Sequence, residues 1–228
     1  MYKKRIITSD DGSHTIELIG QNEQYHSTHG AIQESNHVYI KHGLEIIAQN
    51  ESEINILEIG MGTGLNVLLT WLFALEHGLK IKYLAIEAYP IEEHLWGKLN
   101  YPFFIKNDKA TDTFNKIHSS KWGIEEKLDK NFYFMKREEL IQDSFLPKNV
   151  FNVVYYDAFN PDLEPDLWTK KVFEKVFLSM KNQSVLSTYS TKGVIKRALK
   201  SCGFKIEKKP GPPGKREILN AFKATENL

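Results

Sequence analysis

The run Glu58-Ile59-Gly60-Met61-Gly62-Thr63-Gly64 restricts the fold of this chain more than any other stretch. Ahead of it lies the β-prone segment Ile54-Asn55-Ile56-Leu57-Glu58-Ile59, and behind it an apolar helical run over 65–77. A strand that turns through glycines into a helix is the opening unit of an α/β sheet, and such sheets take ligands at the carboxyl ends of their strands. The glycines allow a tight turn and close approach of backbone to a ligand. The helix that follows presents free N–H groups at its start. Spacing then separates ligand classes. A dinucleotide fingerprint reads G-x-G-x-x-G, but here the glycines fall at 60, 62 and 64 and Leu65 stands where the third would be. An acid at Glu58 suits a cationic ligand and opposes a pyrophosphate.

From residue 54 onward strand-like and helix-like segments alternate. Strands are expected over 54–59, 81–87, 131–135, 150–156 and 185–189, and helices over 65–77, 91–99, 166–181 and 191–202. That rhythm predicts βαβ units and a mostly parallel sheet. Val150–Tyr156 is almost wholly apolar, as for a strand covered on both faces. Residues 204–208 and 217–222 are expected to pair as a closing antiparallel hairpin across Pro210-Gly211-Pro212-Pro213-Gly214. Near the start, two β-prone runs flank Asp10-Asp11-Gly12-Ser13, a hairpin pattern, and a helix is expected over 32–48. The expected architecture is therefore α/β and Rossmann-like over residues 51–228, with an N-terminal hairpin-and-helix extension over 1–50.

Glu87 ends the second strand, where a carboxylate can accept both hydroxyls of a ribose. S-adenosylmethionine carries a ribose, an amino-acid group and a sulfonium but no phosphate, so it fits the glycine spacing and both acids. Glu58, Gly60, Gly62, Gly64, Asn66, Glu87 and Asp157 form the candidate cofactor set. Asp157 ends the apolar fourth strand and is the candidate to orient a nucleophile and take its proton. The competing reading is an aspartate that braces a loop. Phe159 and Trp168 could wall a flipped base, since bases stack on aromatic faces. Core packing is the alternative for both, and for Trp168 taken alone it is the favoured one.

Other classes are disfavoured. The single cysteine, Cys202, permits no internal disulfide and reads as a packing residue. His26 and His29 lack a third ligand at sensible spacing, so no metal is expected. The first residues carry no apolar signal region and no run nears the ~20 apolar residues of a membrane span. A cytoplasmic protein without a membrane partner is expected. The formal net charge is +1, yet residues 192–216 hold nine basic residues against the single acid Glu207. Such a concentration can hold phosphates.

Leu57-Glu58-Ile59-Gly60-Met61-Gly62-Thr63-Gly64-Leu65-Asn66 resembles the methyltransferase domain of the MnmC family, bifunctional enzymes acting on the wobble uridine of tRNA. The resemblance continues at Asp157-Ala158-Phe159-Asn160-Pro161, Pro165-Asp166-Leu167-Trp168-Thr169, Ser187-Thr188-Tyr189-Ser190-Thr191 and Gly214-Lys215-Arg216-Glu217, over roughly residues 25–222. It implies a class I methyltransferase fold with S-adenosylmethionine as methyl donor. The implied acceptor is the aminomethyl group of uridine 34, 2-thiolated or not, in tRNA. With no flavin-dependent oxidase half, it implies a stand-alone enzyme without FAD, and a separate partner enzyme supplying the amine-bearing uridine. Lys215 and Arg216 are then assigned to tRNA, and the segment 25–30 with Gln33, Glu34 and Ser35 to covering the cofactor. Two departures stand out. Ala158 replaces a common glycine, and Met135-Lys136-Arg137-Glu138 replaces an adenine-binding aspartate, leaving Glu138 as the candidate there. The readings kept beside this one are a small-molecule methyltransferase or aminopropyltransferase-like enzyme, a non-catalytic RNA-binding module and, last, a dehydrogenase.

Overall fold

The computed structural model describes residues 2–224. Two sheets are present among them. A small antiparallel sheet joins β1 (Lys4–Thr8), β2 (His14–Leu18) and β3 (Glu23–Gln24). The main sheet has eight strands in the order β10-β11-β9-β8-β4-β5-β7-β6. Its parallel centre comprises β4 (Glu53–Ile59), β5 (Lys80–Glu87), β7 (Phe132–Glu138), β8 (Phe151–Tyr156) and β9 (Met180–Thr188). The edges are antiparallel: β6 (Glu126–Asp129) on β7, and the hairpin β10 (Lys205–Pro210) and β11 (Glu217–Lys223) on β9. The mostly parallel sheet and its closing hairpin thus match the expected fold.

β4 sits between β5 and β8, so the chain leaves it toward one side and returns on the other. A crevice opens at such a switch point. Residues alternate between faces along β4. Ile54 and Ile56 join the core beneath α3 (Leu65–His77), whereas Leu57 and Ile59 join the core beneath α7 (Lys170–Ser179) and α8 (Gly193–Ser201). α3 runs between Gly64 and Gly78, both left-handed, with φ of 73° and 66°. Glycine meets that requirement without a Cβ penalty. The helix is buried on most sides because the N-terminal helix and α6 (Ala110–Ser119) pack against it opposite the sheet.

The N-terminal helix spans 31–48, as expected, but not uniformly. It opens as α1 (Ala31–Ser35), widens into a π-helical stretch Asn36–Leu44 and closes as α2 (Glu45–Ala48). Its Val38, Tyr39 and Leu44 share the core with Ile54 and Ile56. The helix anticipated over 91–99 shortens to α4 (Glu93–Trp96), followed by α5 (Tyr101–Phe104). The helix anticipated over 166–181 divides into a 3-10 turn, Pro165–Trp168, and α7, because Thr169 leaves the helical region to cap α7. Its last two residues belong to β9. β3 and β6 were not anticipated; both are short and polar, with no apolar alternation to reveal them.

Candidate active site

A cavity of about 610 Å³ opens at the carboxyl ends of β4, β5 and β8. It is lined by Gly60, Met61, Gly62 and Glu87, by the segment 139–142 after β7, and by residues 23–29, Glu34, Asp157, Phe159, Tyr189 and Lys215.

The glycine turn is shaped by close approach. Gly60 has φ +86°, and a Cβ there would lie 2.5 Å from the Asp157 carbonyl oxygen. At Gly62 a Cβ would lie 2.9 Å from the Tyr25 ring. Gly64 faces elsewhere: its Cβ would meet His118 Nε2 at 3.0 Å, so it serves packing against α6 and lies outside the cavity wall. Glu87 braces the turn by accepting from Gly62 N at 2.9 Å and Tyr89 N at 2.8 Å. Burial raises its pKa against those two donors. Each oxygen keeps a second lone pair.

Glu58 and Asn66 do not line the cavity. Glu58 shares a face of β4 with Ile54 and Ile56 and is fully buried beneath the turn. It accepts from Asn66 Nδ2 at 2.9 Å and Tyr83 Oη at 2.8 Å. Burial holds its carboxyl well above the usual range. The expected contact between Glu58 and a cationic ligand is therefore replaced by a supporting role, because strand alternation turns the side chain inward. Asn66 carries this support to the cavity: the same Nδ2 donates to Asp157 Oδ2 at 2.8 Å.

Asp157 stands at the cavity, with its N–H on Ile59 O at 2.9 Å. Tyr39 Oη donates to Oδ1 at 2.6 Å. Burial pushes its carboxyl up to about 7, against the donors Tyr39 and Asn66. Beside it, Tyr25 and Phe159 meet edge to face with ring centres 4.9 Å apart. Trp168 is not part of this wall. It is 2% exposed, packs on Tyr156 and Phe173, and donates from Nε1 to Phe159 O at 2.8 Å. It fixes the loop carrying Phe159, since the 3-10 turn aims the indole into the core.

Lys215 and Arg216 part company. Lys215 enters the cavity, pairs with the buried carboxylate of Glu34 and lies 4.1 Å from the Tyr189 ring centre. Glu34 also accepts from Ser27 N at 2.7 Å. Arg216 is exposed and outside the cavity. His26 bonds Thr63 through Nε2 and His29 bonds Asp10 through Nδ1. Among the described residues no group of three or more His, Cys, Asp or Glu could hold a metal ion. No helix of the described residues is long and apolar enough to cross a membrane. Glu138 is exposed and outside the cavity; Glu139 and Gln142 line it instead, and Gln142 Oε1 is a buried acceptor without a partner. The sequence pattern assigns no role to Tyr39, Gln142 or Tyr189, and singles out Tyr25 only within the segment 25–30 expected to cover the cofactor.

An α/β sheet with a glycine turn and buried carboxylates at adjoining strand ends places the cavity at a switch point, where such sheets take their ligands. The chain belongs to a family of S-adenosyl-L-methionine-dependent methyltransferases, whose model matches residues 109–224. It is similar to the tRNA 5-methylaminomethyl-2-thiouridine biosynthesis bifunctional protein MnmC of Leptospira interrogans, 27% identical over 86% of this chain and 32% of the relative. MnmC of Burkholderia multivorans is 28% identical over 92% of this chain and 33% of the relative. The chain thus spans about a third of the length of these curated relatives. The crystal structure of MnmC2 from Aquifex aeolicus shares the fold, with a TM-score of 0.81 at 21% identity over 98% of this chain and 71% of that one.

Proposed function

We propose that this enzyme transfers a methyl group to the primary amine of a 5-aminomethyl-uridine at the wobble position of tRNA. The observation that carries the reading is that Asp157, against Gly60 of the glycine turn, lines the same cavity as the aromatic pair Tyr25–Phe159. The MnmC relatives are named for biosynthesis of that nucleoside, and the basic residues of 192–216 suit a polyanion.

The cavity's residues fit the donor. Glu87 has lone pairs for two ribose hydroxyls, Gly60 and Gly62 leave backbone room, and the unpartnered Gln142 Oε1 would accept from the adenine amino group. Bound S-adenosylmethionine would supply an electrophilic methyl on a sulfonium. Asp157 acts on the acceptor. An alkylammonium has a pKa of ~10 and must lose a proton before it attacks. Transfer to an ordinary carboxylate near ~4 would be uphill by roughly 8 kcal/mol, but to one at about 7 by only about 4 kcal/mol. The freed amine would then form its nitrogen–carbon bond as the donor's carbon–sulfur bond broke, the electron pair leaving on sulfur. Tyr25 and Phe159 flank the base and exclude water. No step requires FAD or a metal, and a separate partner enzyme would deliver the amine.

The test is methylation of tRNA bearing 5-aminomethyl-uridine, read by nucleoside mass spectrometry. One methyl on that amine is expected. Methylation of free polyamines with none on tRNA would refute the assignment.

A further inference from the structure

Asp157 is held by two side chains that the transfer scheme leaves without a task. Tyr39 donates to Oδ1 at 2.6 Å and Asn66 to Oδ2 at 2.8 Å. Tyr39 is 1% exposed and Asn66 2%, and neither lines the cavity. Whatever they do for the acceptor passes through Asp157.

Each donor is itself held in place. Tyr39 sits in the π-helical stretch Asn36–Leu44, and π turns are uncommon and gather at functional sites. That stretch is gripped by the sheet: His42 O accepts from Ser187 Oγ at 2.8 Å and from Asn220 Nδ2. Gly43 permits the approach, since a Cβ there would lie 3.0 Å from Ser187 Oγ and 3.2 Å from the Tyr155 ring. Asn66 is anchored by Glu58, which Tyr83 holds in turn.

We propose that Tyr39, aimed by the π-helical stretch, and Asn66, anchored by Glu58, are positioning residues that fix the Asp157 carboxylate with its remaining lone pairs toward the cavity. This rests on the reading of Asp157 as the group that takes the acceptor's proton. Donors on a carboxylate favour its charged form. Here they oppose the burial that raises it. The other groups facing Asp157 are Glu34 from α1, Lys215 from the β10–β11 loop, Tyr189 after β9, Glu58 on β4 and Tyr83 on β5. Loss of the Tyr39 hydroxyl leaves these in place and removes one donor.

The experiment compares the wild type with Tyr39→Phe by two readouts. The first is the pH dependence of kcat on aminomethyl-uridine tRNA. The second is a carbon-13 NMR titration of the Asp157 carboxyl without any acceptor, assigned with Asp157→Asn. Both midpoints should rise by about one pH unit, the effect of one hydrogen bond to a charged group. At pH 7 kcat should fall about fivefold, recover near pH 9 and leave the KM for tRNA unchanged. An equal loss at every pH, or an unmoved carboxyl midpoint, overturns the inference. Gly43→Ala, which pushes the helix from the sheet, should shift the carboxyl the same way; an unshifted carboxyl there overturns the role of the π-helical grip. The titration needs no acceptor. If the wild type fails to methylate the tRNA, the functional reading falls by itself, and the NMR result still decides this one.

Discussion

Replacing Gly60 and Gly64 separately with alanine should separate catalysis from folding within one turn. Both have left-handed backbones, φ +86° and +73°, so each alanine carries a strain of about 1–2 kcal/mol. Their surroundings differ. At Gly60 the new Cβ would lie 2.5 Å from Asp157 O, 3.0 Å from its carbonyl carbon and 3.2 Å from Ala158 N, all backbone. Restoring ordinary contact requires the Asp157 backbone to retreat by roughly 1 Å. At Gly64 the neighbours are His118 Nε2 at 3.0 Å and Ile117 Cγ2 at 3.3 Å, both side-chain atoms that yield by tenths of an ångström. Gly60→Ala is therefore expected to lose about 3 kcal/mol of stability. It should also lose about 100-fold in kcat, since a misplacement of about 1 Å at the reacting groups has that effect. Gly64→Ala should lose about 1–2 kcal/mol and keep kcat within about threefold. Urea titrations give the stabilities, and single-turnover methyl transfer with saturating donor, below both melting transitions, gives the rates. Equal catalytic losses in the two variants would refute the division.

His26 and His118 should make the fold acid-sensitive. Burial holds them at about 4 and about 3, below the usual 6.5. Below pH 6.5 the unfolded chain binds protons that the folded chain refuses, so stability falls with pH through that window. For His26 the full effect is about 3 kcal/mol. Asp157, raised to about 7, acts with the opposite sign, because its buried carboxyl binds protons more readily folded than unfolded. The diagnostic is thus the difference in urea midpoint between wild type and His118→Asn from pH 7 to 4.5; parallel curves would remove the histidine contribution. Glu87→Ala should weaken S-adenosylmethionine about 100-fold by calorimetry, for two lost hydrogen bonds to a charged acceptor, and a change under threefold would clear Glu87 of ribose binding. Arg197, Lys200 and Arg216 have no ion pair among the described residues. Neutralising all three should lower the salt slope of tRNA binding by about 2–3, whereas Lys215→Met should leave the slope alone and lower kcat.

What the sequence made legible is what short-range rules control. β4, the glycine turn and α3 follow from a β-prone run, glycines that accept positive φ, and an apolar helix, and all lie where expected. The apolar run of β8 places Asp157 at its end for the same reason. Glu58 was misjudged although its strand held the answer: it alternates with Ile54 and Ile56, and that face is buried. Trp168 takes the core-packing alternative because its turn is 3-10 and aims the indole inward, so only its naming beside Phe159 as a wall of the base falls away. Tyr39 could not be found locally. The π-helical turn that aims it is gripped by Ser187 and Asn220, distant in sequence. Lys215 and Arg216 were assigned one role, yet their side chains diverge, one inward and one to solvent.

The two sides of the cavity are therefore built by different means. The side assigned to the donor is made of the ends of neighbouring parallel strands and their turns, Gly60, Gly62 and Glu87, linked by the Gly62–Glu87 bond. The side assigned to the acceptor joins segments that neither strand order nor local pattern brings together. Lys215 reaches Glu34 across 181 residues of sequence. Gly214 leaves no room for a Cβ against His29, where it would lie 2.0 Å away. Glu34 is 6% exposed, and removing the partner of a buried ion costs about 3–5 kcal/mol. The wall assigned to the acceptor thus depends on the N-terminal segment meeting the closing hairpin, through this ion pair, through Asn220 Nδ2 on His42 O and through His37 Nε2 on Pro210 O. Donor binding is expected to persist when that meeting fails, whereas the placement of Lys215 and Tyr189 beside Asp157 is expected to be lost.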